Sequence, residues 1–168
     1  DEAAQSILIT DDAKFADQIA LAVDHMLPLL ERADVAARSW ADNGLIITVP
    51  SMDDMPVLAN RIAAEHLELA LEDAPSWSQK IRHAGAIFLG RYTPEAIGDY
   101  VAGPNHVLPT TRTARFSSGL GVADFMKRTT TVACDVDGFA AIAPSAVKIA
   151  DAEGLGAHAS SMRIRMNR

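Results

Sequence analysis

The chain has 168 residues, 49% apolar and 22% charged, which suits one ordinary domain with a core, or a domain plus an appendage. Its formal charge of −7 argues against a nucleic-acid backbone as main partner, and no stretch approaches the ~20 unbroken apolar residues of a membrane span. With no signal-peptide pattern at its start and a single cysteine, Cys134, it is expected to be soluble and cytoplasmic, without an internal disulfide.

The opening Asp1-Glu2-Ala3-Ala4 lacks an initiator Met and leads almost at once into an apolar run, as expected where a chain begins inside a longer protein. Ser6 to Thr10 is β-branched and apolar, and Thr10-Asp11-Asp12 can cap a following helix. That helix shows one buried face at Phe15, Ile19, Val23, Met26 and Leu30, with Pro28 placed to kink or end it. A short helix around Val35 to Trp40 closes at Asn43-Gly44, and Leu45 to Val49 is the next buried strand.

Met52 to Ala63 is helical by spacing, and Leu67 to Leu71 is a brief extended segment. Pro75 sits where a helix begins, with Trp77, Ile81 and Ala84 on its apolar side and Gly85 as its stop. Ala86 to Leu89 is the last clear strand. Thr93-Pro94-Glu95 then reads as a helix start, with a capping hydroxyl, a proline at the first position and an acid in the first turn. The alternation predicts an α/β fold: a Rossmann-like, three-layer half domain with a mostly parallel sheet.

From Gly103 to Gly121 the chain is loop-like. Asp124 to Val132 is expected to hold a short helix and an extended piece, and Gly138 to Ala152 and Gly156 to Met166 form a helical tail. The expected division is an α/β portion over residues 1–116 and a helical tail over 117–168.

Side chains able to do chemistry concentrate between Ala64 and Thr110: Glu65, His66, Glu95, Asp99 and His106. Adjacent Glu65 and His66, in a turn between helix and strand, can serve one cavity as carboxylate and base; the alternative is a satisfied histidine at a helix end. Asp99 lies one turn into a helix after a strand, where open parallel sheets form ligand crevices, and His106 sits in the rigid turn Gly103-Pro104-Asn105-His106. Carboxylate and imidazole suit zinc, yet no spacing here is a metal signature such as HExxH. His25 and His83 read as surface or cap residues. His158 has only Glu153 nearby, and Cys134, without an activating base, reads as a buried small residue. The residues alone lead to an enzyme-like α/β half domain with an acid- and imidazole-rich cleft.

Four stretches carry a resemblance: AEHLEL at 64–69, AGAIFLGRYTPEAIGDYVAGPNHVLPT at 84–110, FSSGLGVADFMKRT at 116–129 and AEGLGAHASSMRIR at 152–165. They closely resemble the C-terminal part of histidinol dehydrogenases, over essentially the whole chain. One departure is Ala64, where the family commonly has proline before the Glu-His pair, which should slightly loosen that turn.

The resemblance implies a zinc- and NAD-dependent oxidoreductase of histidine biosynthesis that converts L-histidinol to L-histidine through an aldehyde. Carried over residue by residue, His66 would be the general base and Glu65 would activate water for attack on the aldehyde. Asp99 and His158 would be zinc ligands, and His106 and Glu153 would contact substrate. Glu65, His66, Asp99 and His158 would also line the histidinol site. The resemblance further implies a homodimer in which His158 reaches the other subunit's site. It places the family's remaining zinc ligands, a Gln and a His, and the nicotinamide site outside these residues, so this piece alone is expected to bind zinc weakly and not to turn over.

Two other readings stay open: a related zinc and NAD alcohol dehydrogenase acting on another small alcohol, and a non-catalytic dimerisation fragment. A geometric conflict also stands. If the strand after His66 runs parallel to Ala86–Leu89, His66 lies at its amino end, opposite Asp99, unless that strand is antiparallel or loops or a second subunit join them.

Overall fold

The computed structural model describes residues 1–166. Near the start, β1 (Ile7–Thr10) runs into Asp12, whose carboxylate accepts the backbone N–H groups of Lys14 and Phe15 and opens α1 (Ala13–Met26). Pro28 ends that helix, and its last apolar residues continue as a single 3-10 turn, Leu27–Leu29. Helix α2 (Ala33–Asn43) stops at Gly44, where a Cβ would lie 2.2 Å from the Trp40 ring; only glycine lets the chain turn there into β2 (Leu45–Thr48).

A 3-10 turn capped by Ser51 leads into α3 (Met55–Ile62), which is followed by β3 (His66–Leu69), α4 (Ala74–Ser78), β4 (Ala86–Leu89) and α5 (Glu95–Tyr100). Helix α4 is shorter than the expected run to Ala84. Asn60 on α3 captures the backbone that would have extended it: its carboxamide oxygen accepts from the Arg82 and His83 N–H groups, and its NH2 donates to the Lys80 carbonyl. Those groups are thereby withdrawn from helical pairing.

The strands pair in parallel, Ile7 opposite Leu45 through Thr10 opposite Thr48, and His66 opposite Ala86 through Leu69 opposite Leu89. The α/β class with parallel pairing follows the sequence reading, although the strands form two two-stranded sheets in place of one continuous layer. β1 meets the second pair through side chains: Ile9 packs on the cluster of Met55, Ala59, Leu69 and Ala74, together with Leu67, Trp77 and Ile81.

The chain divides into two compact units, Asp1–Phe125 and the residues from Met126 onward. The division falls beyond residue 116 because the segment after it is tied back to the first unit, with the Leu120 N–H donating to the Val107 carbonyl. Residues 126–135 form neither helix nor strand, so the extended piece expected there pairs with nothing. Cys134, expected to be buried, is exposed for the same reason: no element forms around it to bury it.

In the second unit, Asp135 caps α6 (Val136–Ala152), which ends at Gly154 in a left-handed conformation. The Leu155 N–H reaches back to the Ala150 carbonyl and that of Gly154 to Asp151, a Schellman closure that turns the chain into α7 (Gly156–Met166). Small residues, Ala143, Ala150 and Ala159, fill the seam between the two helices, and Arg163 pairs with Asp151.

Candidate active site

Alternation along a strand puts His66 and Glu68 on one face of the second sheet, with Ala86 and Phe88 beside them in register. After β4 the chain turns at Gly90 and Thr93, and α5 runs back across that same face. The spacings match. Two strand residues span about 6.6 Å, and one helical turn, from 95 to 99, rises about 6 Å. Glu95 therefore meets Glu68, and Asp99 meets His66. The Glu95 N–H donates to Glu68 Oε1 at 2.6 Å, and His66 Nε2 lies 3.3 Å from Asp99 Oδ1 and 3.8 Å from Glu95 Oε1.

This resolves the geometric conflict. The strands are parallel, and a short returning helix carries Asp99 back to the amino end of β3. The meeting point is on the sheet face and not beyond the carboxyl edge, because α5 is about as long as the strands it covers.

Two close approaches hold the arrangement. A Cβ on Gly98 would lie 2.2 Å from Phe88 Cε1, so α5 sits directly on the buried Phe88 ring, which also neighbours His66 with centroids 5.8 Å apart. Gly85, where a Cβ would lie 2.5 Å from the Glu65 carbonyl oxygen, lets β4 run close beside the Glu65 turn. That turn begins at buried Ala63, which closes α3 at φ 52°, and is fastened by the Gly85 and Ala86 N–H groups donating to Ala64 and Glu65. These bonds at Ala64 and Glu65 restrain the turn.

The capping hydroxyl expected from Thr93 is not used. Pro94 is the N-cap of α5 and offers no side-chain acceptor, so the Glu68 carboxylate from β3 takes that place. Glu95 has its carboxyl held above the usual glutamate range, chiefly by burial, then by its hydrogen bond with Asp99 and the nearby negative charges of Asp99 and Glu68. His66 pulls the other way.

His66, Glu95 and Asp99 each offer one ligand atom, all within 4.8 Å of one another, a donor set of one imidazole and two carboxylates that suits a divalent cation such as zinc. Of the residues singled out in the sequence, His66, Asp99 and Glu95, the last noted there without a role, are brought together. Glu65, half-buried, precedes His66, and His106 is exposed on the loop after α5. Glu153 and His158 belong to the second unit, exposed at the α6–α7 turn. Glu68 is an addition: alternation alone places it on a strand without showing which helix crosses it.

A family model of histidinol dehydrogenase matches residues 1–166. The chain belongs to the histidinol dehydrogenase family. It is 62% identical to the histidinol dehydrogenase of Rhodospirillum rubrum over 169 aligned positions, covering 100% of this chain and 39% of that protein. With the Gluconobacter oxydans histidinol dehydrogenase the identity is 55% over 168 positions, again 100% of this chain and 39% of the relative. The crystal structure of histidinol dehydrogenase from Elizabethkingia anophelis superposes with a TM-score of 0.85 at 34% identity, covering 97% of this chain and 37% of that one. The chain thus spans 39% of the length of the first two relatives and 37% of the third.

Proposed function

We propose that the chain supplies the proton-transfer and part of the metal-binding machinery of a cytoplasmic histidinol dehydrogenase, an oxidoreductase that takes L-histidinol to L-histidine through the aldehyde. The observation that carries this reading is the placement of His66 beside Asp99 and Glu95 within a family match over residues 1–166.

His66 Nε2 is the atom that accepts the alcohol proton as the C–H bond breaks, an imidazole being well suited to such transfer near neutral pH. Glu65, on the same turn, takes a proton from the water that adds to the aldehyde, preparing the hydrate for the second oxidation. Asp99 and His158 would hold zinc, and His106 and Glu153 would contact the substrate. Zinc held there would orient the substrate, and NAD would accept the hydrides. An Asp99 carboxylate turned to zinc would leave the Nε2 lone pair of His66 for the substrate hydroxyl.

The homodimer is supported by the apolar side chains that α6 leaves exposed, Ile142 and Ile149, one heptad apart on the same face. In this reading the α6–α7 unit is the dimerisation piece and brings His158 to the partner's site.

A second assignment follows from the three-residue donor set, in which His66 is itself a metal ligand. His66→Asn in the protein expressed from its complete reading frame separates the two. As a base, its loss lowers NAD reduction with L-histidinol by about 10²–10⁴-fold while zinc affinity by chelator competition is kept. A parallel collapse of zinc affinity would make His66 a ligand, and unchanged turnover would overturn both assignments.

A further inference from the structure

Helix α5 has six residues, far fewer than an isolated helix needs to persist in water, and its N-cap is a proline without a side-chain acceptor. Its place depends on what the second sheet offers it. Besides the approach of His66 to Asp99 and Glu95, two contacts seat it there: the Gly98–Phe88 approach, which sets its height above the sheet, and the Glu68 carboxylate, which takes the Glu95 N–H at 2.6 Å. Glu68 is two residues beyond His66 on the same strand face, and Glu95 is one turn before Asp99 on the same helix. One strand thus meets the helix near both ends, at Glu95 through Glu68 and at Asp99 through His66.

We propose that Glu68 is a positioning residue: a cap supplied by the neighbouring strand that seats α5 and thereby holds Asp99 in place for metal binding. It touches neither metal nor substrate. A carboxylate suits the task because it accepts an unpaired helical N–H and complements the positive end of the helix. The same carboxylate adds negative charge near Glu95, a cost that a purely structural packing residue would not impose.

The proposal rests on the zinc reading of Asp99, and the experiment keeps the two apart. In the protein expressed from its complete reading frame, Glu68→Ala and Glu68→Gln are compared with wild type by zinc-chelator competition and by amide exchange at Glu95 and Asp99. The amide oxygen of Gln still accepts the Glu95 N–H. Glu68→Ala is expected to lose the exchange protection of Glu95 and to weaken zinc about 10–100-fold, the usual effect of removing a residue that orients a metal ligand. Glu68→Gln is expected to stay near wild type in both, and a merely destabilised fold would not be rescued in this way. Retained protection of Glu95 in Glu68→Ala, unchanged zinc affinity despite lost protection, or a Gln variant as impaired as the Ala variant would each overturn the proposal. A wild-type protein that binds no zinc would overturn the metal reading, and the amide comparison would then decide the seating of α5 alone.

Discussion

Glu95 stands between His66, Asp99 and Glu68, and its carboxyl is pushed up mainly by burial, with the hydrogen bond to Asp99 and the neighbouring carboxylates adding to the effect. In the folded chain Glu95 therefore keeps its proton to a higher pH than in the unfolded chain. Its contribution to stability is complete below the unfolded value, near about pH 4, and is lost as pH rises through the raised folded value. Glu95→Gln cannot ionise, so in EDTA its urea midpoint should gain on wild type between pH 4 and pH 7. An equal difference at both pH values would refute the account. At this scale much was legible. The Glu-His pair, Asp99 and His106 were visible in the sequence and gained roles from the resemblance. Glu95 was visible as a first-turn acid and as one of the clustered groups able to do chemistry, but without a role, because its proximity to His66 depends on which way α5 folds back, and no local pattern encodes that.

At the scale of elements, the second sheet and its covering helices are held by a few specific contacts. Asn60 binds three backbone groups of the segment between α4 and β4, and Asn60→Ala leaves all three without that partner. A loss of about 2 kcal/mol of unfolding free energy is expected in urea melts, given that the site is half-buried and water can replace part of the bonding. A loss below a few tenths would show that water replaces it fully. Gly98→Ala places a methyl group against the Phe88 ring and should lift α5 from the sheet, costing about 1–3 kcal/mol and weakening zinc binding together with stability. Unaltered zinc affinity would mean that Asp99 does not depend on the height of α5. Element starts followed the sequence closely at Asp12 and Pro75, where a capping carboxylate and a first-turn proline are local signals, whereas α6 begins at Val136, ahead of the expected Gly138, because Asp135 caps it. The premature end of α4 did not, because the competing acceptor, Asn60, lies 22 and 23 residues away from the N–H groups it captures.

At the scale of the molecule, the chain spans 39% of the length of its relatives, and two of the four zinc ligands that the resemblance implies, a Gln and a His, have no counterpart among the assigned residues. The 168 residues assayed by themselves should give no NAD reduction with L-histidinol and only weak zinc binding, and measurable turnover would sink the assignment of roles. The sequence by itself determined the α/β class, the position of most elements and the family, since hydrophobic period, caps and long contiguous motifs are written in neighbouring residues. Tertiary structure decided how the pieces meet. It set the division at Phe125, the exposure of Cys134, the split into two strand pairs and, above all, the return of α5 that joins Asp99 to His66 across 33 residues. That last contact arises from matching a helical turn to a strand repeat over a Gly98–Phe88 seat, a long-range fit to which each segment contributes only half.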